Sequence, residues 1–370
     1  MSFDSGTMTF AVFEVEGQLT EDAVAGFAAN VVPPINTLLA DPISGWVGPR
    51  HLLDREITPE TVVAGNYLHL TTMKAERKVP GSLLRAECKM REIAEMKRRD
   101  VRFLNRKDRA AIKKEVHDEL LPTMPPTLSG FPCLFRLTDS WAAAQALTAN
   151  RHDVLVSGFK KATGLDLIQW TPEIAAQRLK GLHAKDLQPA RFAPESSEEI
   201  PLTQGIGAEF LTWLWFRCDE KDGIVNAGTR GDGPAYALLL EGPLLFVVEG
   251  EGAHAATLRD GNPLASAEAK TALAAGKKLC GAKLTLAQGD ATWTCTLDAQ
   301  TFGFRSLKVP KGNGATPDEI FQDRMEFLHQ FLGVFWDLYC QFLDLRADDK
   351  AWRRTERAMQ KWVVDREALA

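Results

Sequence analysis

The residues of this chain whose type and spacing could do chemistry are the cations that crowd residues 74–122. Fifteen Lys and Arg fall between Lys74 and Lys114, against six acids, although the 370-residue chain has a net charge of −5. Guanidinium and ammonium groups bind phosphate oxygens through charge-assisted hydrogen bonds. A local excess of positive charge on an acidic protein therefore predicts a polyanionic partner that binds at a patch or channel.

We expect the phosphate contacts to come from a pool of cations of which some face the ligand and others pair with Glu87, Glu92, Glu95 or Asp108. The pool consists of Arg85, Lys89, Arg98, Arg99, Arg102, Arg106, Lys107, Arg109, Lys113 and Lys114. Lys74, Arg77 and Lys78 are second-rank candidates. The alternative is a solvated helical hairpin whose cations serve solubility.

The carboxylates are less well arranged for chemistry. A nuclease needs clustered carboxylates that hold Mg²⁺, often beside a lysine. Glu87 and Lys89 have that spacing but fall in a predicted helix, while Glu115, Asp118 and Glu119 share a helix end. Asp348 and Asp349 form a further acidic pair. We assign none of these acids as catalytic residues.

Other cofactor and metal patterns are missing from the sequence. The seven histidines are isolated, and neither a P-loop nor a complete dinucleotide fingerprint occurs. The glycine-rich residues 228–233 could cradle a phosphate, but no Lys-Ser or Lys-Thr follows them, so a flexible loop is the default interpretation. We therefore expect no metal and no cofactor.

The cations need a scaffold, and the pattern around them is helical. A helix is predicted after Pro80-Gly81, ending near Phe103, with a buried stripe of Leu83, Ala86, Met90, Ile93, Ala94 and Lys97. A second helix is predicted from Asn105 to Leu121 before Pro122, with Ala110, Ala111, Ile112, Val116, Leu120 and Leu121 facing inward.

The remaining chain mixes strand and helix patterns, which predicts the α+β class. Strands are predicted at residues 9–15, 66–73, 131–138, 153–157 and 165–170, a tight turn at 45–49 and a helix at 141–150. Further on we expect a hairpin at 236–248, a meander at 283–309, a long apolar helix from Pro317, and a basic amphipathic helix at 350–366.

Composition and length limit the function classes. No apolar run approaches the roughly 18 residues of a membrane span, and the N-terminus has no secretory pattern. Six scattered cysteines suit reduced thiols in the cytoplasm.

The order of the predicted elements divides the chain into five segments, with residues 187–203 as the best linker. The segments are an N-terminal α+β segment (1–75), the basic hairpin (76–130), a strand–helix–strand segment (131–200), a β-rich lobe with an inserted hairpin (201–316) and C-terminal helices (317–370).

Several short segments, taken in order, resemble the bacterial RdgC family of recombination-associated proteins. They include residues 45–49 (GWVGP), the basic residues 74–80 after a strand, and 113–116 (KKEV) followed by 120–122 (LLP). Later segments are 275–278 (AGKK), 283–286 (KLTL), 306–308 (SLK) and 318–327 (DEIFQDRMEF). Residues 209–263 and the tail beyond about 346 depart from the family pattern.

The resemblance implies a horseshoe of antiparallel sheets and helices with a basic helical hairpin, paired into a closed dimeric ring. Double-stranded DNA would pass through this ring without sequence preference, in the nucleoid, and access of the RecA recombinase would be limited. The resemblance implies no catalytic residue, so the expected protein is not an enzyme. The long aromatic helix could be buried at a ring contact or in an ordinary core.

Two other functions stay open at this point. A metal-dependent DNA exonuclease would use one of the acidic clusters, and a protein-interaction scaffold would use the basic hairpin as a docking arm for an acidic partner.

Overall fold

A computed structural model describes residues 3–20, 22–39, 41–192, 205–247, 255–259 and 267–364. The strands, in chain order, are β1 (Met8–Glu16), β2 (Ile43–Val47), β3 (Val63–Ala64), β4 (Tyr67–Arg77), β5 (Pro126–Arg136), β6 (Trp141–Ala144), β7 (Asp166–Gln169), β8 (Ile224–Asn226), β9 (Ala235–Val247), β10 (Ala255–Leu258), β11 (Lys278–Gln288), β12 (Ala291–Asp298) and β13 (Gly303–Lys308).

The α-helices are α1 (Ala23–Ala29), α2 (Pro59–Val62), α3 (Gly81–Arg99), α4 (Arg106–Leu120), α5 (Ala149–Thr163), α6 (Pro172–Lys180), α7 (Ile206–Glu220), α8 (Ala267–Ala274), α9 (Pro317–Ala347) and α10 (Asp349–Val364). The predicted α+β class is confirmed. None of these helices is long and apolar enough to cross a membrane. The predicted linker lies outside the described residues from position 193 onward, and so does Arg366 of the tail.

The chain divides into two compact units, and unit 1 comprises residues 1–18, 134–153 and 166–370. Its antiparallel strands follow the order β10-β9-β11-β12-β13-β1-β6, an open arrangement and not a closed barrel. The predicted meander is confirmed, because β11 pairs with β12 from Gly281–Asp298 to Gln288–Ala291.

The core of unit 1 forms where α9 meets the sheet and α7. Thr316 and Glu319 form a capping box that starts α9 at the predicted place. The ring of Phe335 lies 5.0 Å from that of Phe304 and 5.6 Å from that of Phe210, both edge-on. The long aromatic helix is therefore buried in the core of its own unit.

Unit 2 comprises residues 19–133 and 154–165. Within it, β4 lies between β2 and β5, and β3 pairs with β4. Its core contains Val32, Leu38, Val47, Met73 and Ala75. Helices α3 and α4 form the helical hairpin of this unit.

Three local predictions are wrong, and in two of them, at residues 45–47 and 141–144, sheet pairing overrides local propensity. The alanine-rich residues 141–150 were expected to form a helix, but Trp141–Ala144 is strand β6, paired with β1 at Ala11–Ala144. The strand expected at 153–157 belongs to α5, whose buried side chains Leu155 and Phe159 are four residues apart. Residues 45–47 lie in β2, not in a turn.

Residues 236–247 of the predicted hairpin form one continuous strand, β9, and residue 248 lies outside the described residues. Both halves of β9 pair with β11, at Leu240–Leu284 and at Phe246–Leu279. A hairpin does exist there, but its second strand is β10, since Val247 pairs with Ala255. The Glu241-Gly242-Pro243 segment that looked like a turn is accommodated within the strand.

Candidate nucleic-acid interface

Local signals in the sequence define the ends of the basic helical hairpin. Pro80 precedes α3, which ends at Asp100, a residue in the left-handed conformation with φ of 53°. The Val101 amide then donates to the Met96 carbonyl at 3.0 Å, which closes the helix end. Helix α4 starts at the cap Asn105, whose side-chain oxygen accepts from the Asp108 amide at 2.8 Å. The two predicted helices are therefore confirmed.

The face on which α3 packs differs from the prediction. Met90 and Ile93 of the predicted buried stripe are 59% and 53% exposed, and Ala86, Ala94 and Lys97 are exposed as well. The half-buried face instead includes Arg91 and Glu95. In α4, Val116 is buried as predicted, whereas Ala110 and Ala111 are exposed.

Ion pairs between the two helices explain why α3 is rotated in this way. Arg91 pairs with Glu119 and lies 3.7 Å from Glu115. Arg99 lies 3.0 Å from Asp108. These polar contacts share the half-buried face of α3 with Leu83, Leu84, Cys88 and Met96, so Met90 and Ile93 turn outward.

All ten candidate cations are exposed, but they fall into two groups. Arg98 and Arg99 both donate to Glu95, and this pairing with Arg98 and then Arg99 lowers the pKa of Glu95 to about 2. The other eight make no ion pair and no side-chain hydrogen bond with any described residue. These unpaired cations are Arg85, Lys89, Arg102, Arg106, Lys107, Arg109, Lys113 and Lys114.

The helix dipole favours the cations at the end of α3 and opposes those at the start of α4, which suggests a structural role for the first group and a binding role for the second. Lys97, Arg98 and Arg99 occupy the last turn of α3, where the helix dipole favours positive charge. Arg106 and Lys107 occupy the first turn of α4, where the dipole opposes positive charge by typically about 0.3–1 kcal/mol each. An external anion at the amino end of α4 would reverse that penalty.

The connection between the helices carries apolar side chains that the sequence interpretation missed. We call residues 98–109 the hairpin tip. Within it, Phe103 is 79% exposed and Val101 is 42% exposed, beside the exposed Arg102 and Arg106. The sequence does contain a signal for this exposure, because Val101 and Phe103 flank Arg102 in the short connection between two helices, where few neighbours can cover them.

The second-rank cations are already engaged within unit 2. Lys74 lies 2.7 Å from Glu76, and Lys78 pairs with the same carboxylate. The guanidinium of Arg77 donates to the carbonyl of Met124. Because each of these three side chains already has a partner within the protein, they are weaker candidates for phosphate contacts than the eight unpaired cations.

The acidic residues considered for a metal site either pair with arginine or are not grouped as metal ligands. Glu119 and Glu115 face Arg91, and the hydrogen bond from Arg91 lowers the pKa of Glu119. Glu87 and Lys89 lie on helix α3, as expected. Over the described parts of the chain, no group of three or more His, Cys, Asp or Glu side chains is placed to hold a metal ion.

Comparison with known families places the hairpin within a matched segment. Residues 34–179 match the family model described as "RdgC: Putative exonuclease, RdgC". The match contains the whole of α3 and α4 and excludes α7, α9 and α10. No curated protein matches the chain.

Proposed function

We propose, from the premise that this chain is an RdgC-family protein, that it is a sequence-nonspecific double-stranded DNA-binding protein. It would act in the nucleoid as a ring-shaped homodimer that encloses the duplex and limits access of the RecA recombinase, without catalysing a reaction. Family membership is consistent with a recombination-associated DNA-binding role. The enclosing ring, the dimer and the recombinase are the further content of this proposal.

The observation that carries the proposal is the set of eight exposed, unpaired cations on the hairpin of a protein with a net charge of −5. Two other cations of the hairpin are already paired, since Arg98 and Arg99 both contact Glu95. The eight others stay available to an external polyanion. Their clustering on one hairpin suits a phosphate backbone, which presents a dense row of negative charges.

The chemistry of the hairpin favours binding without sequence preference. Between residues 81 and 120, Asn105 is the single amide side chain in the sequence, and its oxygen caps α4. Asn and Gln are the usual readers of adenine in the major groove, and this hairpin has no free amide side chain for that role. Lys and Arg can read guanine, but they also supply most phosphate contacts, which carry no sequence information. The composition of the hairpin therefore suits contacts along the phosphate backbone and lacks the adenine readers of a sequence-specific protein.

The exposed apolar residues of the hairpin support the dimer. Met90, Ile93 and Phe103 lie on the outer surface of α3 and the hairpin tip. Fully burying a side chain of this size typically contributes about 1.5–3 kcal/mol. A second copy of the hairpin offers the same apolar residues in a two-fold arrangement, which would cover both sets at once.

The direct test is the salt dependence of duplex binding by a hairpin variant. Arg106→Gln/Lys107→Gln/Arg109→Gln removes three unpaired cations near the start of α4. Each lost phosphate contact should reduce the slope of log K against log [salt] by about 1, so we expect a reduction of roughly 2–3. Fluorescence anisotropy with a 30-base-pair duplex at several salt concentrations measures this slope.

The matched control is Lys221→Gln/Lys308→Gln/Lys311→Gln, which removes three exposed cations from unit 1 that have no ion pair with described residues. It should leave the slope nearly unchanged. Equal slopes for the two triple variants would refute the hairpin as the binding element. A wild-type protein that binds heparin but not duplex DNA would favour the scaffold function.

The family description favours one other function, an exonuclease. The same experiment therefore includes an end-labelled linear duplex incubated with Mg²⁺ at high protein concentration. The proposal expects intact DNA. Metal-dependent shortening of the duplex that disappears in Glu115→Gln/Asp118→Asn/Glu119→Gln would establish the nuclease function instead.

A further inference from the structure

Helix α10 is an amphipathic helix whose two faces have different roles. Trp352, Met359 and Val363 are buried on one face. On the opposite face, Lys350, Arg353, Arg354, Arg357 and Lys361 are all exposed. At 3.6 residues per turn these five cations lie within about 100° of the helix circumference, so they form one stripe.

The cationic stripe of α10 has little acidic compensation. None of its five side chains forms an ion pair with a residue in the described part of the chain. A surface groove of about 680 Å³ runs along the stripe, lined by Asp349, Ala358 and the five cations. The other acid of the helix, Glu356, accepts a hydrogen bond from the Arg191 amide at 2.8 Å. The groove is therefore strongly positive.

A neighbouring groove extends this positive surface. Arg354 also lines a cavity of about 550 Å³ together with Arg217 and Arg230. Its two acids are engaged, because Glu220 lies 3.8 Å from Arg217 and Asp344 lies 2.8 Å from Lys180. Arg230 belongs to residues 228–233, whose glycine-rich sequence could cradle a phosphate.

The apolar face of α10 is fixed to the protein, which decides what kind of partner the helix fits. The Trp362 indole donates to Asp219 at 2.8 Å, and its ring lies 4.8 Å from that of Trp215. The guanidinium of Arg346 lies over the Trp352 ring at 4.3 Å. A basic amphipathic helix binds lipid by inserting its apolar face. Since that face is already covered here, a polyanion outside the membrane fits better.

We propose that the basic stripe of α10 is a second phosphate-binding surface for duplex DNA, separate from the hairpin. The inference rests on the proposed DNA-binding function and adds a site outside the segment that matches the RdgC family model, residues 34–179. From Lys350 to Lys361 the stripe spans about 16 Å, a length over which a duplex presents about ten phosphates. Its role is to add affinity and salt dependence without reading bases.

The first test compares three triple variants of the full-length chain by the salt dependence of duplex binding. Arg353→Gln/Arg354→Gln/Arg357→Gln should reduce the slope of log K against log [salt] by roughly 2–3, as the hairpin triple does. Combined in one chain, the two triples should reduce it by roughly 4–6. The unit 1 control, Lys221→Gln/Lys308→Gln/Lys311→Gln, should leave it unchanged. Thermal unfolding checks that each variant is folded.

The results of this test distinguish a failure of the α10 inference from a failure of the proposed DNA-binding function. A reduced slope for the hairpin triple with an unchanged slope for the α10 triple would overturn this inference and leave the proposed function standing. Wild-type protein without affinity for duplex DNA would overturn both. Wild-type binding to phosphatidylserine vesicles that the α10 triple loses, with its DNA slope unchanged, would assign the stripe to a lipid surface.

A second measurement reads the stripe directly. Lysine acetylation of the wild-type protein is followed by mass spectrometry with and without a 30-base-pair duplex. Lys350 and Lys361 should be protected several-fold by the DNA, while Lys221 and Lys308 react equally in both samples. Equal acetylation of Lys350 and Lys361 with and without DNA would refute the contact even if the variants proved hard to interpret.

Discussion

The imidazole of His329 lies between a guanidinium and an indole in unit 1. Its Nε2 is 3.3 Å from the guanidinium of Arg136, and its ring lies 4.7 Å from that of Trp141. Burial, and secondarily the charge of Arg136, lowers the pKa of His329 to about 4, while the carboxylate of Asp139 opposes the shift. The folded protein therefore holds this imidazole neutral.

We expect His329 to make the protein less stable in mild acid. The unfolded chain binds the proton near pH 6.5 and the folded chain near pH 4, so this contribution is present above pH 6.5 and is lost as the pH falls to 4. The loss should be about 2 kcal/mol after allowance for partial exposure. Urea unfolding of the wild type and of His329→Gln at pH 7 and pH 4.5 measures it.

The variant should lose less free energy of unfolding between these pH values than the wild type does, whatever its stability at pH 7. Asp139 titrates below this window, since its pKa is also lowered, and so it does not produce the same effect. Parallel losses in the two proteins would show that another group controls the acid response.

Single residues also show how far sequence reasoning reached into the candidate site. Pro80, Asn105 and Pro122 identified the hairpin, because capping and helix termination depend on neighbouring residues. The orientation of α3 could not be found in this way. It depends on the pairing of Arg91 with Glu119, two residues 28 positions apart, which no local periodicity records.

At the scale of elements, a buried ion pair joins α9 to α7. Arg346 and Glu209 are each about 3% exposed, with Nε and Oε2 3.2 Å apart. Glu209 also accepts from the Ala190 amide at 2.8 Å, and Arg346 donates to the Gln188 carbonyl at 2.6 Å. Burial raises the pKa of Glu209, so the carboxylate depends on Arg346 to stay charged.

Removing one partner of this pair should be costly. Arg346→Met leaves Glu209 buried without its counter-charge and removes the hydrogen bond to Gln188, so we expect a loss of about 3–5 kcal/mol in the free energy of unfolding. Chemical denaturation followed by circular dichroism measures the change. The double variant Glu209→Gln/Arg346→Met removes both charges and should recover part of the loss. A single variant that costs less than 1 kcal/mol would contradict this account.

Elements also show why some strands were mistaken. Trp141–Ala144 has residues that favour a helix, yet its small side chains lie in the strand that pairs with β1. The Gly242-Pro243 pair looks like a turn locally, yet β9 continues because β11 pairs with it on both sides of that point. Both outcomes depend on strands more than 30 residues away along the chain, which a local pattern does not contain.

For the whole molecule, the α+β class, the meander and the two C-terminal helices followed from periodicity. The composition of the two units did not, because unit 1 gathers residues 1–18, 134–153 and 166–370 from separate parts of the chain. The five expected segments stay a prediction about domains, and the horseshoe and the closed ring stay predictions about assembly.

The enclosing ring makes a prediction about DNA topology that the phosphate contacts alone do not make. A closed dimer should stay on a covalently closed circular duplex through a high-salt wash and slide off a linear duplex of the same sequence. Pull-down of the protein with each DNA, immobilised at an internal site, measures retention. Light scattering after size exclusion should give a mass twice the 40.9 kDa of one chain.

The apolar surface of the hairpin provides the variant that separates ring closure from DNA affinity. Ile93→Ser/Phe103→Ser changes two exposed side chains and no cation, so folding and phosphate contacts should persist. We expect a dimer that opens or dissociates, with retention on circles reduced to that on linear DNA and an unchanged salt slope per chain. Retention that stays equal on circular and linear DNA in the wild type would mean that the cations hold the duplex from one side, and DNA binding would then stand without a ring.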